Sequence, residues 1–169
     1  KFQNGVKKIK DLKIGDSAPD FKLSDKEGKL FRLSDFKGKK VAIYFYPKDN
    51  TPGCTKQACN IRDNFSVLEK EGIIIIGISI DDEKSHEKFV DKYNLPFILL
   101  SDKEKEVVNK YGVYGEKSFM GKKYFGTSRK TFLIDEEGEI VHIIEKPKVS
   151  NHAQEIIDCF KFSINWDKN

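Results

Sequence analysis

The chain has 169 residues, of which 38% are hydrophobic and 34% are charged, so it fits one compact soluble domain with a single core. Its formal net charge is +4, and both signs are interleaved along the chain, so no basic stripe predicts nucleic-acid binding. The longest apolar run, at residues 73–76, is far shorter than the roughly 20 residues that cross a bilayer, and we expect no membrane span.

Strand-like and helix-like patterns alternate along the chain without a repeat, which predicts one domain over residues 1–169. Within it, residues 1–11 are expected to form a flexible N-terminal segment. Residues 21–33 are predicted to form an opening hairpin, because an acidic residue and Gly28 supply a turn between two strand-like runs.

A strand, a helix and a second strand are predicted next. Continuous apolar runs at residues 41–46 and 73–80 are typical of central strands covered on both faces. Between them, apolar residues recur at spacings of three and four, the period of an amphipathic helix that ends at Gly72; they are Ala58, Ile61, Phe65 and Leu68. This order indicates a parallel βαβ unit.

The remaining elements complete a mixed sheet with helices on both faces. Asp102 is expected to cap a short helix, and His86 is expected on the polar face of the helix before it. The other predicted elements are a helix at 83–92, a strand at 97–100, an antiparallel hairpin of 131–134 with 140–144, and a helix at 151–164 that buries Ala153, Ile156, Ile157, Phe160 and Ile164.

A predicted loop between Gly115 and Gly126 carries several large apolar side chains, which are Phe119, Met120, Tyr124 and Phe125. Two interpretations stay open. These side chains either line an apolar wall that admits organic molecules or simply pack the loop.

The three cysteines are too few, and odd in number, for a secreted disulfide scaffold. A reducing compartment is therefore expected, which favours the cytoplasm. The first residue is Lys1 rather than methionine, so removal of a targeting segment would point to an organelle instead.

The candidate catalytic residues lie where the predicted strand at 41–46 is followed by a helix. Cys54 lies in the first turn of that helix, whose unpaired N–H groups favour the thiolate. A cysteine on the inward face of a helix is more often a small core residue. Here the preceding Pro-Gly, Thr51 and a second cysteine at Cys59 favour a nucleophile, because a packing residue needs none of them.

This segment resembles the active-site loop of peroxiredoxins, whose motif Pro-x-x-x-Thr-x-x-Cys is matched by Pro47, Thr51 and Cys54. The string from Phe45 to Cys59 is similar to the peroxiredoxin Q group, also called bacterioferritin comigratory protein. The resemblance covers about residues 12–160 and includes, in order, Ala18-Pro-Asp-Phe21, Leu33-Ser-Asp-Phe36, Lys92-Tyr-Asn-Leu-Pro-Phe97, Lys110-Tyr-Gly-Val113 and Arg129-Lys-Thr-Phe-Leu-Ile-Asp135.

The resemblance implies a thioredoxin-like α/β fold with an N-terminal hairpin extension, reduction of hydroperoxides, and no cofactor. It also implies four site residues, Pro47, Thr51, Cys54 and Arg129. Pro47 would shield the sulfur from water, the Thr51 hydroxyl would position the peroxide, and Arg129 would stabilise charge on the departing oxygen. The implied partners are a hydroperoxide substrate and thioredoxin or glutaredoxin as reductant, with the chain a monomer or weak dimer.

Cys59 is the candidate that resolves the sulfenic acid formed on Cys54, as in many members of that group. In a continuous α-helix their Cα atoms would stand roughly 8.7 Å apart. A disulfide needs at most about 7 Å, so the helix must unwind for a Cys54–Cys59 bridge to form. Cys159 is expected to fill the core, with a resolving role as the alternative, and the three histidines give no metal-ligand spacing.

Two other functions remain open at this point. A protein thiol–disulfide oxidoreductase fits the thioredoxin-like order but lacks a Cys-x-x-Cys motif. A non-enzymatic redox sensor or holdase would use Cys54 oxidation only to change binding. Peroxide consumption with dithiothreitol supports a peroxidase. Insulin reduction without peroxide consumption supports the oxidoreductase, and the absence of both activities supports the sensor or holdase.

Overall fold

The computed structural model describes residues 11–166, with side chains as far as Phe162. The predicted flexible segment lies outside these residues apart from Asp11, and so does the side chain of Ile164. The strands are β1 (Lys22–Ser24), β2 (Leu30–Arg32), β3 (Lys40–Phe45), β4 (Ile73–Ser79), β5 (Ile98–Ser101), β6 (Tyr114–Phe119), β7 (Lys122–Thr127), β8 (Lys130–Ile134) and β9 (Ile140–Ile144). The helices are α1 (Pro52–Asp63), α2 (Phe65–Lys70), α3 (Glu83–Tyr93), α4 (Glu106–Lys110) and α5 (His152–Trp166), with a 3-10 turn at Leu33–Phe36.

Seven strands form one mixed sheet in the order β2-β1-β5-β4-β3-β8-β9. The central strands β3, β4 and β5 are parallel, and the flanking strands pair antiparallel. The predicted βαβ unit and both hairpins of this sheet are confirmed. Gly28 has a φ of +81°, which explains the glycine in the first turn.

Strand β3 separates two layers of core because its side chains alternate between the faces of the sheet. Ala42 and Tyr44 face helices α1, α2, α3 and α5. Ile43 and Phe45 face α4 and the 3-10 turn. The predicted arrangement of helices on both faces is therefore confirmed.

The single helix predicted between β3 and β4 is wrong, because Asn64 divides it into α1 and α2. The Asn64 side-chain amide donates to the Asn60 carbonyl at 2.8 Å, the acceptor that the Asn64 backbone N–H would use in a continuous helix. That backbone N–H donates to the Ile61 carbonyl instead, at 3.2 Å. The spacing of apolar residues continues across Asn64, so the sequence pattern does not indicate the break.

The segment predicted as a loop between Gly115 and Gly126 is instead a two-stranded hairpin of β6 and β7. Phe119 and Phe125 are 68% and 67% exposed, and Met120 at its tip is 87% exposed. The interpretation that these side chains pack a loop is therefore wrong, while the apolar wall stays a prediction. Across residues 11–166, none of the helices is long and apolar enough to cross a membrane.

Candidate active site

The site begins at the junction between β3 and α1. Thr51 precedes the helix in an extended conformation, and Pro52 follows as its first residue, where the missing N–H of proline costs nothing. The Thr51 hydroxyl donates to the Lys48 carbonyl at 2.8 Å. Its hydrogen is thereby committed, so only the oxygen lone pairs remain to accept a hydrogen bond from a substrate. Pro47, half-buried, lies in the same loop.

Cys54 lies in the first turn of α1 and is 2% exposed. The Arg129 guanidinium reaches it, with Nη2 donating to Sγ at 3.3 Å. Arg129 comes from the other side of the junction, because β8 pairs with β3 in a register that sets Lys130 opposite Phe45. Three of the sequence-predicted residues thus lie at one end of β3, and the fourth, Arg129, is brought to them by β8.

Gly53 and Gln57 shape the contact between Arg129 and the thiol. A Cβ at Gly53 would stand 3.1 Å from Arg129 Nη2, so a larger residue would push the guanidinium by a few tenths of an ångström and glycine leaves room for it. The Gln57 carbonyl oxygen accepts from Arg129 Nη1 at 2.7 Å, and its side-chain amide nitrogen is buried without a partner among the described residues. Gln57 is not among the residues predicted from the sequence, although its position one turn after Cys54 on the buried face of the helix indicates a contact with this site.

A second buried polar cluster adjoins the loop and centres on Asp49. Its Oδ1 accepts from the Tyr46 hydroxyl at 2.5 Å, and its Oδ2 accepts from the Ser85 hydroxyl at 2.8 Å and lies 2.6 Å from His86 Nδ1. The prediction of His86 on a polar face is wrong, because its ring is 0% exposed. Burial lowers the pKa of His86, but the hydrogen bond and charge of Asp49 outweigh burial and leave the pKa raised.

Cys59 lies in different surroundings, five residues further along α1. It is half-buried and borders an open groove of about 470 Å³ whose lining includes Lys56, Lys92 and Tyr93. Cys54 and Cys59 are both free thiols. Cys159 is also free and packs at the edge of the core on α5, where burial raises its pKa.

Comparison with known proteins identifies the protein class to which this chain belongs. The AhpC/TSA family model matches residues 14–143. The putative peroxiredoxin Bcp of Coxiella burnetii is 53% identical over 146 residues, covering 86% of this chain and 97% of that protein. Peroxiredoxin Bcp of Escherichia coli strain K12 is 48% identical over 150 residues, covering 89% of this chain and 96% of that protein. The structure of the Xanthomonas campestris bacterioferritin comigratory protein, at 34% identity, aligns with a TM-score of 0.78 over 85% of this chain and 92% of that one.

The chain therefore belongs to the AhpC/TSA family and has its thioredoxin-like fold. Within that family it falls in the peroxiredoxin Q/Bcp subfamily, the group of its Bcp relatives, and is a thiol-dependent peroxidase and antioxidant oxidoreductase acting on peroxides. The resemblance seen in the sequence is confirmed.

Proposed function

We propose that Cys54 is the peroxidatic cysteine. Its thiolate sulfur attacks the terminal oxygen of a hydroperoxide, so an S–O bond forms, the O–O bond breaks, and the departing oxygen leaves as an alcohol or water after taking a proton. The thiol is oxidised by two electrons to a sulfenic acid, and the peroxide is reduced. The supporting observation is the Arg129 guanidinium at 3.3 Å from the Cys54 sulfur in the first turn of α1.

Arg129 and Thr51 serve the transition state of this step. Fixed donors near the sulfur stabilise negative charge as it develops on the departing oxygen, which is worth more than binding the substrate alone. The oxygen of the Thr51 hydroxyl accepts a hydrogen bond from the peroxide and so orients the substrate. Pro47 limits the access of water. The Cys54 side chain is enclosed, which favours a small peroxide over a protein disulfide and disfavours the oxidoreductase alternative.

Cys59 then resolves the sulfenic acid. Its thiolate attacks the Cys54 sulfur, an S–S bond forms, and water leaves with the former peroxide oxygen. In α1 as folded, the roughly 8.7 Å Cα spacing expected of a helix exceeds the roughly 7 Å that a disulfide tolerates. The first turns of α1 therefore unwind in each cycle and reform after reduction.

Thioredoxin or glutaredoxin completes the cycle by reducing the disulfide. The open groove beside Cys59 gives a protein dithiol access that the enclosed Cys54 does not. We further propose that the chain forms one domain, works as a monomer or weak dimer, and acts in the cytoplasm, where such reductants keep thiols reduced. Sedimentation analysis of the reduced and oxidised protein tests the assembly state.

The substrates proposed are hydrogen peroxide and organic hydroperoxides. The Xanthomonas campestris relative has alkyl peroxide reduction activity, which supports the organic class for this chain. Stopped-flow mixing of the reduced protein with hydrogen peroxide and with cumene hydroperoxide measures both rates. Peroxide consumption that needs Cys54 and a dithiol supports the proposal, whereas oxidation of Cys54 without turnover would support the redox sensor.

A further inference from the structure

We propose that Asp49 is a positioning residue for peroxide reduction. Through Asp49, the loop that contains Pro47 and Thr51 is fixed to helix α3 and to the end of strand β4. This inference rests on the proposed role of Cys54. Asp49 lies between Pro47 and Thr51 in the chain and is 7% exposed. Its side chain does not face the thiol but turns back into the protein.

The Asp49 carboxylate is held by two residues of α3, one of which links it to β5. Ser85 and His86 belong to α3, and both bond to Oδ2, at 2.8 and 2.6 Å. The far ring nitrogen of His86, Nε2, lies 2.9 Å from the Leu100 carbonyl of β5. A carbonyl oxygen only accepts, so Nε2 carries a hydrogen. One further proton is shared between Nδ1 and the carboxylate, and the pair is electrically balanced inside the core.

The backbone of Asp49 is held as well. Its N–H donates to Asp81 Oδ2 at 2.8 Å, and the same oxygen accepts from the Ser79 hydroxyl at 2.7 Å, at the end of β4. The next residue, Asn50, has a φ of +60° and turns the chain towards α1. Asp49 is therefore fixed through side chain and backbone immediately before the chain turns into the catalytic helix.

This arrangement matters because α1 must unwind and reform around it. A side chain held at several points in a packed core persists when an adjacent helical turn opens locally. Opening of α1 then stops at Asp49, and when the helix reforms Thr51 returns to the same place. A displacement of about 1 Å at a catalytic site can cost about 100-fold in rate. A fixed position for the loop at Asp49 therefore contributes to the rate of peroxide reduction.

The test compares Asp49→Ala with Asp49→Asn. Asparagine has the same shape, accepts from Tyr46 through its oxygen, and can donate to Ser85 and to a neutral His86 through its nitrogen. Asp49→Ala is expected to slow Cys54 oxidation by hydrogen peroxide by about 10- to 100-fold, and Asp49→Asn by less than about 3-fold. Stopped-flow mixing well below each variant's melting temperature gives the second-order rate constants, and the rate of disulfide formation is measured separately.

Asp102→Ala is the matched control. Asp102 is 1% exposed and accepts from the Val108 N–H at 2.7 Å on the other face of the sheet, so its loss also removes a buried carboxylate. It should lower the melting temperature and leave the oxidation rate unchanged. If Asp49→Ala does not fold, the double variant Tyr46→Phe with Ser85→Ala removes two donors and is expected to slow oxidation several-fold.

Two results would overturn the inference while Cys54 of the wild type still reacts. One is an oxidation rate in Asp49→Ala, or in the double variant if that is the one that folds, equal to that of the wild type. The other is an equal slowing in Asp49→Asn and Asp49→Ala, which would make charge rather than position the cause. A wild-type protein in which Cys54 does not react would instead refute the proposed function itself.

Discussion

The two cysteines of α1 lie in the same helix but in opposite surroundings. Cys54 is 2% exposed and has the Arg129 guanidinium on its sulfur. Cys59 borders an open groove with Lys56 and Lys92 in its lining. The enclosed end suits a step with a small substrate and a charged transition state, and the open end suits exchange with another protein. The difference teaches that burial, rather than residue type, distinguishes the two thiols, and the steps proposed for them follow from it.

Cys54→Ser should have the largest effect on the peroxide step. A serine hydroxyl is a far weaker nucleophile than a thiolate, so peroxide consumption is expected to fall to the level of buffer. Cys159→Ser provides the control and should retain full activity, because Cys159 packs at the edge of the core on α5, where burial raises its pKa and disfavours the reactive thiolate. Residual peroxide consumption in Cys54→Ser that disappears in Cys159→Ser would reverse the assignment.

Arg129→Ala comes next. Loss of one fixed donor to a developing negative charge costs about 100- to 1,000-fold in rate. Lowering a thiol pKa by about two units raises the thiolate fraction near pH 7 only some 25-fold, so a thiolate effect alone is smaller. The peroxide rate and the thiolate fraction, read from alkylation against pH, are measured on the same variant. Equal changes in the two would contradict a role for Arg129 in the transition state.

Gln57→Ala is expected to slow the peroxide step by about 10-fold, because the Arg129 guanidinium loses the partner that orients it. Asp63→Asn, an exposed change further along α1, serves as the control and should leave the rate unchanged. A Gln57→Ala variant as fast as the wild type would show that the Cys54 contact alone holds Arg129 in place.

Cys59→Ser should leave the peroxide step within about 2-fold of the wild type and abolish turnover with a dithiol reductant. The sulfenic acid on Cys54 then persists, and excess peroxide carries it to the sulfinic acid. Single-turnover stopped flow and multiple-turnover assays with thioredoxin separate the two effects. Full turnover in this variant would mean that another thiol resolves the sulfenic acid.

The smallest effect concerns the cluster behind the Cys54 end of α1. The pKa of His86 is raised, since the hydrogen bond and charge of Asp49 outweigh the lowering by burial. The pair therefore adds stability that is complete below the ordinary histidine pKa of about 6.5 and is lost as the pH rises through the raised value. Melting temperatures of wild type and Asp49→Asn should differ most at low pH and converge at higher pH. A difference that grows with pH would contradict the shift.

Much of this organisation was predictable from the sequence. Apolar runs identified β3 and β4, and the motif located Pro47, Thr51 and Cys54 at a strand-to-helix junction. Arg129 came only through the resemblance, because β8 lies far along the chain and pairing registers are not visible in a local pattern. Asp49 and His86 were missed as a pair for the same reason, since they meet only when α3 packs behind the loop.

Local patterns failed where a side chain overrode a period. The break at Asn64 depends on one side-chain amide that takes a backbone acceptor, and the apolar face of α1 and α2 continues across it. The sequence does not predict the hairpin of β6 and β7, because its apolar residues face solvent instead of alternating between core and surface. Neither the break at Asn64 nor the hairpin of β6 and β7 includes a residue of the Cys54 site.

The central claim is that Cys54 reacts first and Cys59 resolves it within one chain. Mass spectrometry of the reduced protein after one equivalent of hydrogen peroxide tests this most directly. We predict a loss of two hydrogens in the intact monomer and a single cross-linked peptide that joins Cys54 to Cys59. A stable sulfenic acid, a disulfide-linked dimer, or a cross-link to Cys159 would contradict it.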